Sequence, residues 1–240
     1  MLGRFLEFSV ETPDIPASLD FYGRLGFSQA KVGDAWDYPY AVVTDGRICV
    51  GLHQQSPATP TLTFVRPNLL RKAEELESVG IELQIRRLGD AVFNEIAFLD
   101  PNGVLIRLIE ARSFSPSERK ATKTSACGYF EEIALPTRDI DGAKAFWETA
   151  GFVGMDELNA ILPHVSCTSD FIDIGLYDHQ HLPNPTLVFD ADDIHTRLSA
   201  LATAGVAAAK TLPPKLRGTP AALFIAPEGT QVLLRGSTDR

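Results

Sequence analysis

The sequence is written twice. The segment LEFSVETPDIPASLDFYGRLGF, from Leu6, and the segment EEIALPTRDIDGAKAFWETAGF, from Glu131, align at an offset of 125 residues. Asp14 meets Asp139, Phe21 meets Phe146, and Gly26-Phe27 meets Gly151-Phe152. The register persists downstream, with Thr61 on Thr186, Phe64 on Phe189 and Gly80 on Gly205. Gly51-Leu52 meets Gly175-Leu176 at 124, and the turn Pro101-Asn102-Gly103 meets Pro227-Glu228-Gly229 at 126. Each half also repeats within itself at a spacing of 54, as Glu7 to Thr61 and Gly26 to Gly80, then Glu132 to Thr186 and Gly151 to Gly205. Four copies of one unit constrain the fold more than composition does, because such units complete one another's cores.

Each unit has the pattern strand, helix, strands. FLEFSV is a short apolar run that stops at the breaker cluster ETPD. Asp14 is placed to cap the next helix, and Pro16 suits its first turn. Ile15, Leu19 and Tyr22 form an i, i+4, i+7 stripe, and Gly26 ends the helix. Tyr40–Val43 and Ile48–Leu52 flank Thr44-Asp45-Gly46, a hairpin signal. The second unit runs TLTFV, then a helix from Pro67 to about Val79, then FNEIAFL and VLIRLIEA around Asp-Pro-Asn-Gly. Residues 113–126, rich in Ser, Thr and Lys, are expected to link a domain at 1–112 to one at 127–240.

The formal net charge of -9 argues against nucleic acid and anionic membranes as partners. No secretory signal pattern is seen at MLGRFLEFSV, and no apolar run nears the roughly 20 residues that span a bilayer. Three cysteines, Cys49, Cys127 and Cys167, fit a reducing cytoplasm better than a disulfide framework, with Cys49 expected as a small buried side chain.

Paired βαβββ units, Phe-Tyr or Phe-Trp in the first helix, Gly-Phe after it, and an Asp-Pro-x-Gly turn before the last strand together resemble the glyoxalase, bleomycin-resistance and extradiol dioxygenase group, the vicinal oxygen chelate superfamily. The resemblance implies an α+β fold with two tandem domains. Each domain is expected to be two βαβββ modules forming an open, U-shaped, eight-stranded mixed sheet. It further implies a concave face that usually holds one divalent metal on inward-facing His and Glu side chains, with an oxygen-rich substrate in the open positions.

The chain departs from that ligand pattern. The first ligand position, fourteen residues before the helix Phe, is Glu7 in one half and Glu132 in the other. The second falls on Gly51 and Gly175, the third on Thr61 and Thr186, and the fourth on Arg107 and Leu233. Each half keeps one possible ligand, where a catalytic divalent site takes about three. The expectation is no metal in the usual place, with Glu7 and Glu132 the metal candidates at those positions. Arg107 stands where a chelating carboxylate is usual, so a Glu7–Arg107 pair is expected on the floor of the first cavity. Glu131 is expected to face away from Glu132, which must find a partner of its own.

Strand alternation puts His53 on the face of Gly51, where it lines the cavity or sits at a strand end near solvent. Trp36, Tyr38 and Tyr40 rim the cavity or belong to the core, and Glu95 is a possible wall residue. Gly51 and Thr61 are small, which leaves room for an organic molecule. His164, His179 and His181 invite a metal reading, with solvated loop histidines as the plainer one, and His195 falls on a helix surface. The expected function is binding of a small, anionic organic molecule by Glu7, Tyr38, Tyr40, His53, Thr61 and Arg107, without the usual metal. The alternative is a divalent-metal lyase, isomerase or dioxygenase, or an enzyme using Glu7 and His53 as acid and base; a protein with no ligand is the third class. A homodimer is compatible with the fold.

Overall fold

The computed structural model describes residues 1–31, 37–55, 58–111 and 125–236. Trp36 and most of the expected linker therefore lie outside the described residues. The first half runs β1 (Arg4–Glu11), α1 (Ile15–Arg24), β2 (Ser28–Gln29), β3 (Tyr40–Thr44), β4 (Cys49–His53), β5 (Thr61–Arg66), α2 (Leu69–Ser78), β6 (Leu83–Arg87), β7 (Glu95–Leu99) and β8 (Leu105–Glu110). The second runs β9 (Tyr129–Thr137), α3 (Ile140–Thr149), β10 (Val153–Glu157), β11 (His164–Thr168), β12 (Ile174–Asp178), β13 (Thr186–Ala191), α4 (Ile194–Thr203), β14 (Ala221–Ile225) and β15 (Gln231–Gly236).

The elements form where local chemistry directs. Asp14 caps α1 by accepting from Ala17 N, and Asp139 caps α3 by accepting from Gly142 N. Gly26, Gly80, Gly151 and Gly205 stop the four helices at positive φ, which costs a residue without Cβ little.

The first sheet has the order β2-β3-β4-β1-β5-β8-β7-β6, and the second β10-β11-β12-β9-β13-β15-β14. In each, the first strands of the two modules pair antiparallel at the centre, and each pairs parallel with its own module's last strand. Both sheets are open and mixed, as expected. The second has seven strands among the described residues rather than eight. Pairing beyond β14 begins where Ala209 N donates to Leu223 O, then stops before Pro213 and Pro214, which have no N–H to give to a ladder. The segment equivalent to β6 crosses the concave face instead, through a single 3-10 turn at Pro214–Leu216.

The helices lie against the other face of each sheet, where one hydrophobic core spans both halves. Phe27 meets Phe189 edge-on, and Phe98 meets Phe146. Glu228 in the β14–β15 turn region accepts hydrogen bonds from Ser18 Oγ (2.7 Å) and Tyr22 Oη (2.9 Å) of α1. The equivalent of Tyr22 is Trp147, whose buried indole N–H has no hydrogen-bond partner among the described residues. Cys49 is half-buried rather than buried, while Cys127 and Cys167 are buried. No helix of the described residues is long and apolar enough to cross a membrane.

Candidate functional site

A bulge sets the floor of each concave face. In β1 the register against β5 slips between Phe5 and Glu7, and in β9 the register against β13 slips between Phe130 and Glu132. Without the slip, Phe5 and Glu7 would share a face. With it, Phe5 packs on Phe64 and the core while Glu7 turns to the concave side. The sequence repeat shows two aligned glutamates but gives no sign of the bulges that aim them.

Registration across the first sheet runs Glu7–Thr63–Arg107–Ala97 in one row and Ser9–Thr61–Leu105 in the next. Thr63, not Thr61, thus stands between Glu7 and Arg107. Thr61 lies one row away and donates its hydroxyl to Ala58 O. The spacing of 54 that matched Glu7 to Thr61 did not show this, because equivalent residues of two antiparallel strands need not face each other: Glu7 pairs with Thr63 and Ser9 with Thr61.

The expected Glu7–Arg107 pair is replaced by two others. Glu7 Oε1 faces His53 Nε2 at 2.6 Å and accepts from Ser9 Oγ at 2.8 Å, and Ser9 also meets Thr63 Oγ1 at 2.9 Å. Arg107 donates to Glu95 through Nε at 2.9 Å and through Nη2 at closer range. Arg87 Nη1, from the edge strand β6, reaches the other Glu95 oxygen at 3.1 Å. The physical reason is distance across the sheet: Thr63 separates Glu7 from Arg107, whereas His53 and Glu95 sit on nearer strands. Glu7, His53 and Glu95 are buried, and Arg107 keeps 12% of its side chain exposed.

His53 is buried at 2%, which excludes the reading of a strand-end residue near solvent. Its ring is stacked on Tyr40 (centroids 5.7 Å apart, planes at 11°), and its Nδ1 lies 3.3 Å from Tyr38 Oη. Burial raises the Tyr38 phenol above its ordinary range, and the charge and hydrogen bond of Arg107 pull it back. Gly51 does not leave room for a ligand: a Cβ there would fall inside the Glu7 carboxylate, which fills that space.

The second half builds a different floor from the same repeat. Glu132 Oε1 accepts from Tyr177 Oη at 2.5 Å and faces His164 Nε2 at 3.3 Å. His164 Nδ1 is 2.9 Å from Leu162 O, and the His164 and Tyr177 rings stack 4.3 Å apart. Arg235 bonds to Asp190 at 2.7 Å and to Tyr177 Oη at 3.3 Å. Desolvation pushes Glu132 up to about 7, with the Tyr177 bond and the Arg235 charge working against it, and burial lowers His164. Over this cluster lies an apolar plug of Leu162, Leu182, Leu212, Leu216, Leu223 and Leu233. Sequence reasoning treated His164 with the loop histidines and missed Tyr177 and Arg235. The offset of 124 that pairs Tyr40 with His164 and His53 with Tyr177 was the available signal. His179 and His181 fall in the loop after β12, with His179 Nδ1 3.3 Å from Asp178, and His195 is exposed on α4.

The donor sets do not fit the superfamily's metal. Among the described residues no three His, Cys, Asp or Glu side chains are grouped to hold an ion. Among the described residues one carboxylate and one imidazole meet directly in each half, and the second carboxylate, Glu95 or Asp190, is held by an arginine. The rest of the row is Thr63 and Arg107, or Val188 and Leu233, and a guanidinium beside a would-be ligand opposes a dication. Two surface recesses, of about 430 and 420 Å³, lie away from both rows; the first shares Tyr40 with the His53 cluster and the second is lined by Arg4, Arg66 and Phe171.

No family model matches the chain, and no curated protein matches it. Solved structures do. A catechol 2,3-dioxygenase superposes with a TM-score of 0.60 at 15% identity, over 98% of this chain and 88% of that one. BphC, a halotolerant catechol dioxygenase, gives 0.61 at 13%, over 99% and 87%. A variant of homoprotocatechuate 2,3-dioxygenase from Brevibacterium fuscum gives 0.63 at 13%, over 99% and 71%. At such identities the likeness establishes the fold. The chain has the tandem βαβββ architecture of the extradiol dioxygenases, the vicinal oxygen chelate fold.

Proposed function

We propose that the concave face of the first half binds a small, oxygen-rich organic anion, held by Arg107 and without a divalent ion at the superfamily's position. The observation that carries this is the charge arrangement around Glu95, where two guanidinium groups share one buried carboxylate. One of them, Arg107, occupies the row of Glu7 and Thr63 and keeps part of its surface open. A planar guanidinium with fixed N–H directions suits a carboxylate or phosphonate. Tyr38, Tyr40 and His53 supply ring faces and hydrogen-bonding atoms beside it, the mixture of apolar wall and placed polar groups typical of small-molecule sites.

Calorimetric titration of the purified protein with a series of small carboxylates, run in parallel with MnCl2, tests this reading. Carboxylate binding that weakens with salt, and weakens about tenfold or more in Arg107→Lys, is the expected result. Stoichiometric Mn2+ binding that is lost in Glu7→Gln, with no carboxylate response, would sink it.

A further inference from the structure

The polar row of the first half ends in a hydrogen-bond relay that simple binding does not require. A carboxylate accepts only, so the His53 Nε2 that faces Glu7 at 2.6 Å carries the proton. That leaves Nδ1 as an acceptor, 3.3 Å from the Tyr38 hydroxyl. Tyr38 in turn receives a hydrogen bond from Arg107. Ser9 steadies Glu7 from one side, and Tyr40 lies flat against the imidazole. Glu7 and His53 are buried and Tyr38 is half-buried, so the chain of bonds leads from the interior to a reachable phenol oxygen. A carboxylate that orients an imidazole, and an imidazole that accepts from a hydroxyl, is an arrangement that prepares the hydroxyl for proton transfer. The second half has the same groups but no such relay. There the His164 Nδ1 is used on Leu162 O, and Tyr177 donates to the glutamate itself.

Resting on the anion-binding reading above, we infer that Tyr38, backed by His53 and Glu7, removes a proton from a bound 2-oxo carboxylate at the carbon next to its carbonyl. The ligand class follows from the groups present. A phenol oxygen relayed to an imidazole is strong enough for a carbon acid activated by a carbonyl, and the guanidinium groups of Arg87 and Arg107 anchor a carboxylate. As the Tyr38 proton passes to His53 Nδ1, the Tyr38 oxygen takes the proton from C3 of the ligand. The C3–H bonding pair becomes the C2=C3 double bond, and the carbonyl π pair moves onto oxygen. The enolate oxygen accepts a hydrogen bond from Arg107, and Glu7 faces the imidazolium. Reversal returns a solvent-derived proton to carbon, so the step is balanced without oxidant or reductant.

The test is exchange of the C3 hydrogens of 2-oxobutanoate in D2O, followed by proton NMR across a pH series. Wild-type protein is expected to accelerate exchange about a hundredfold or more over buffer. Tyr38→Phe should abolish the acceleration while still binding 2-oxobutanoate, and His53→Gln should reduce it about tenfold or more. Each variant's near-ultraviolet circular dichroism and unfolding midpoint establish that it is folded, and His195→Gln, on the exposed surface of α4, serves as a second control that keeps the rate. If 2-oxobutanoate binds but exchanges no faster than in buffer, or Tyr38→Phe exchanges as fast as wild type, the relay is overturned and the anion site stands. If neither 2-oxobutanoate nor any other small carboxylate binds, both readings fall.

Discussion

The two halves share strand order, bulge and glutamate, yet their concave faces have opposite character. Five aligned positions are polar in the first half and apolar in the second: Ser9 against Ala134, Tyr38 against Leu162, Thr63 against Val188, Glu95 against Ala221, and Arg107 against Leu233. Each half nonetheless gathers a glutamate, a histidine, a tyrosine, an arginine and a second carboxylate. The histidine and tyrosine have exchanged strands, His53 for Tyr177 and Tyr40 for His164. The arginine has moved from the position of Arg107 to that of Ile109, where Arg235 meets Asp190. The difference teaches that the fold fixes where a buried carboxylate sits, while the residues around it decide whether it faces a polar row or an apolar core. A buried carboxylate needs partners in either setting, and the second half supplies them beneath leucines.

Four experiments break or sharpen that contrast, in descending order of expected effect. Leu216→Ala or Leu233→Ala removes part of the plug, and a loss of about 2–5 kcal/mol in urea unfolding is expected, against about 1 kcal/mol or less for Thr63→Ser in the first half. Equal costs would mean that the two faces are packed alike.

The buried Glu132 should make stability depend on pH. Its folded value of about 7 exceeds the unfolded value of about 4.5. Below pH 4.5 the group is protonated in both states and costs nothing. As pH rises from 4.5 to 7 the unfolded chain ionises while the folded one keeps its proton, and stability falls by up to about 3 kcal/mol, levelling off above 7. His164, lowered by burial, acts in the opposite sense and weakens the fold as pH drops below 6.5. Glu132→Gln should flatten the loss in unfolding midpoints between pH 4.5 and 7; an unchanged slope would place the titrating group elsewhere.

Gly175→Ala puts a Cβ against both the Glu132 carboxylate and the Tyr177 ring, under the plug, and should cost about 2–3 kcal/mol. At Gly51→Ala the three nearest atoms all belong to the Glu7 carboxylate, the end of a flexible side chain, so about 1 kcal/mol is expected, together with loss of the His53 contact. Thermal unfolding of the two variants ranks them, and the reverse order would contradict the assignment of the sealed half. Glu228→Gln, which keeps the shape but weakens the bonds from Ser18 and Tyr22, should lower stability by about 1 kcal/mol by the same measurement.

Much of the fold was legible because repetition is a property of sequence. Helix-stopping glycines mark all four modules, capping aspartates Asp14 and Asp139 the first module of each half, and the turns at Pro101-Asn102-Gly103 and Pro227-Glu228-Gly229 the second, and the structure has them where expected. The missing eighth strand of the second sheet was written in Pro213-Pro214, yet a repeat argument looks past a local departure. The site was less legible. Glu7, Tyr38, Tyr40, His53, Glu95 and Arg107 do come to one face, but their pairing depends on a bulge and on which strands are neighbours. Neither is visible in spacing: antiparallel pairing sets Thr63, and not the repeat-equivalent Thr61, opposite Glu7. The second cluster was hidden because its histidine and tyrosine had traded places.

The account's central claim is that the first half's concave face, and not the second's, meets an organic anion. Amide NMR of the isotopically labelled chain, titrated with 2-oxobutanoate, tests it most directly. Saturable shifts confined to β1, β4, β5, β7 and β8, and weakened about tenfold or more in Arg107→Lys, are the predicted result. Shifts centred on β9, β13 and β15, or a response identical in Arg107→Lys, would contradict it.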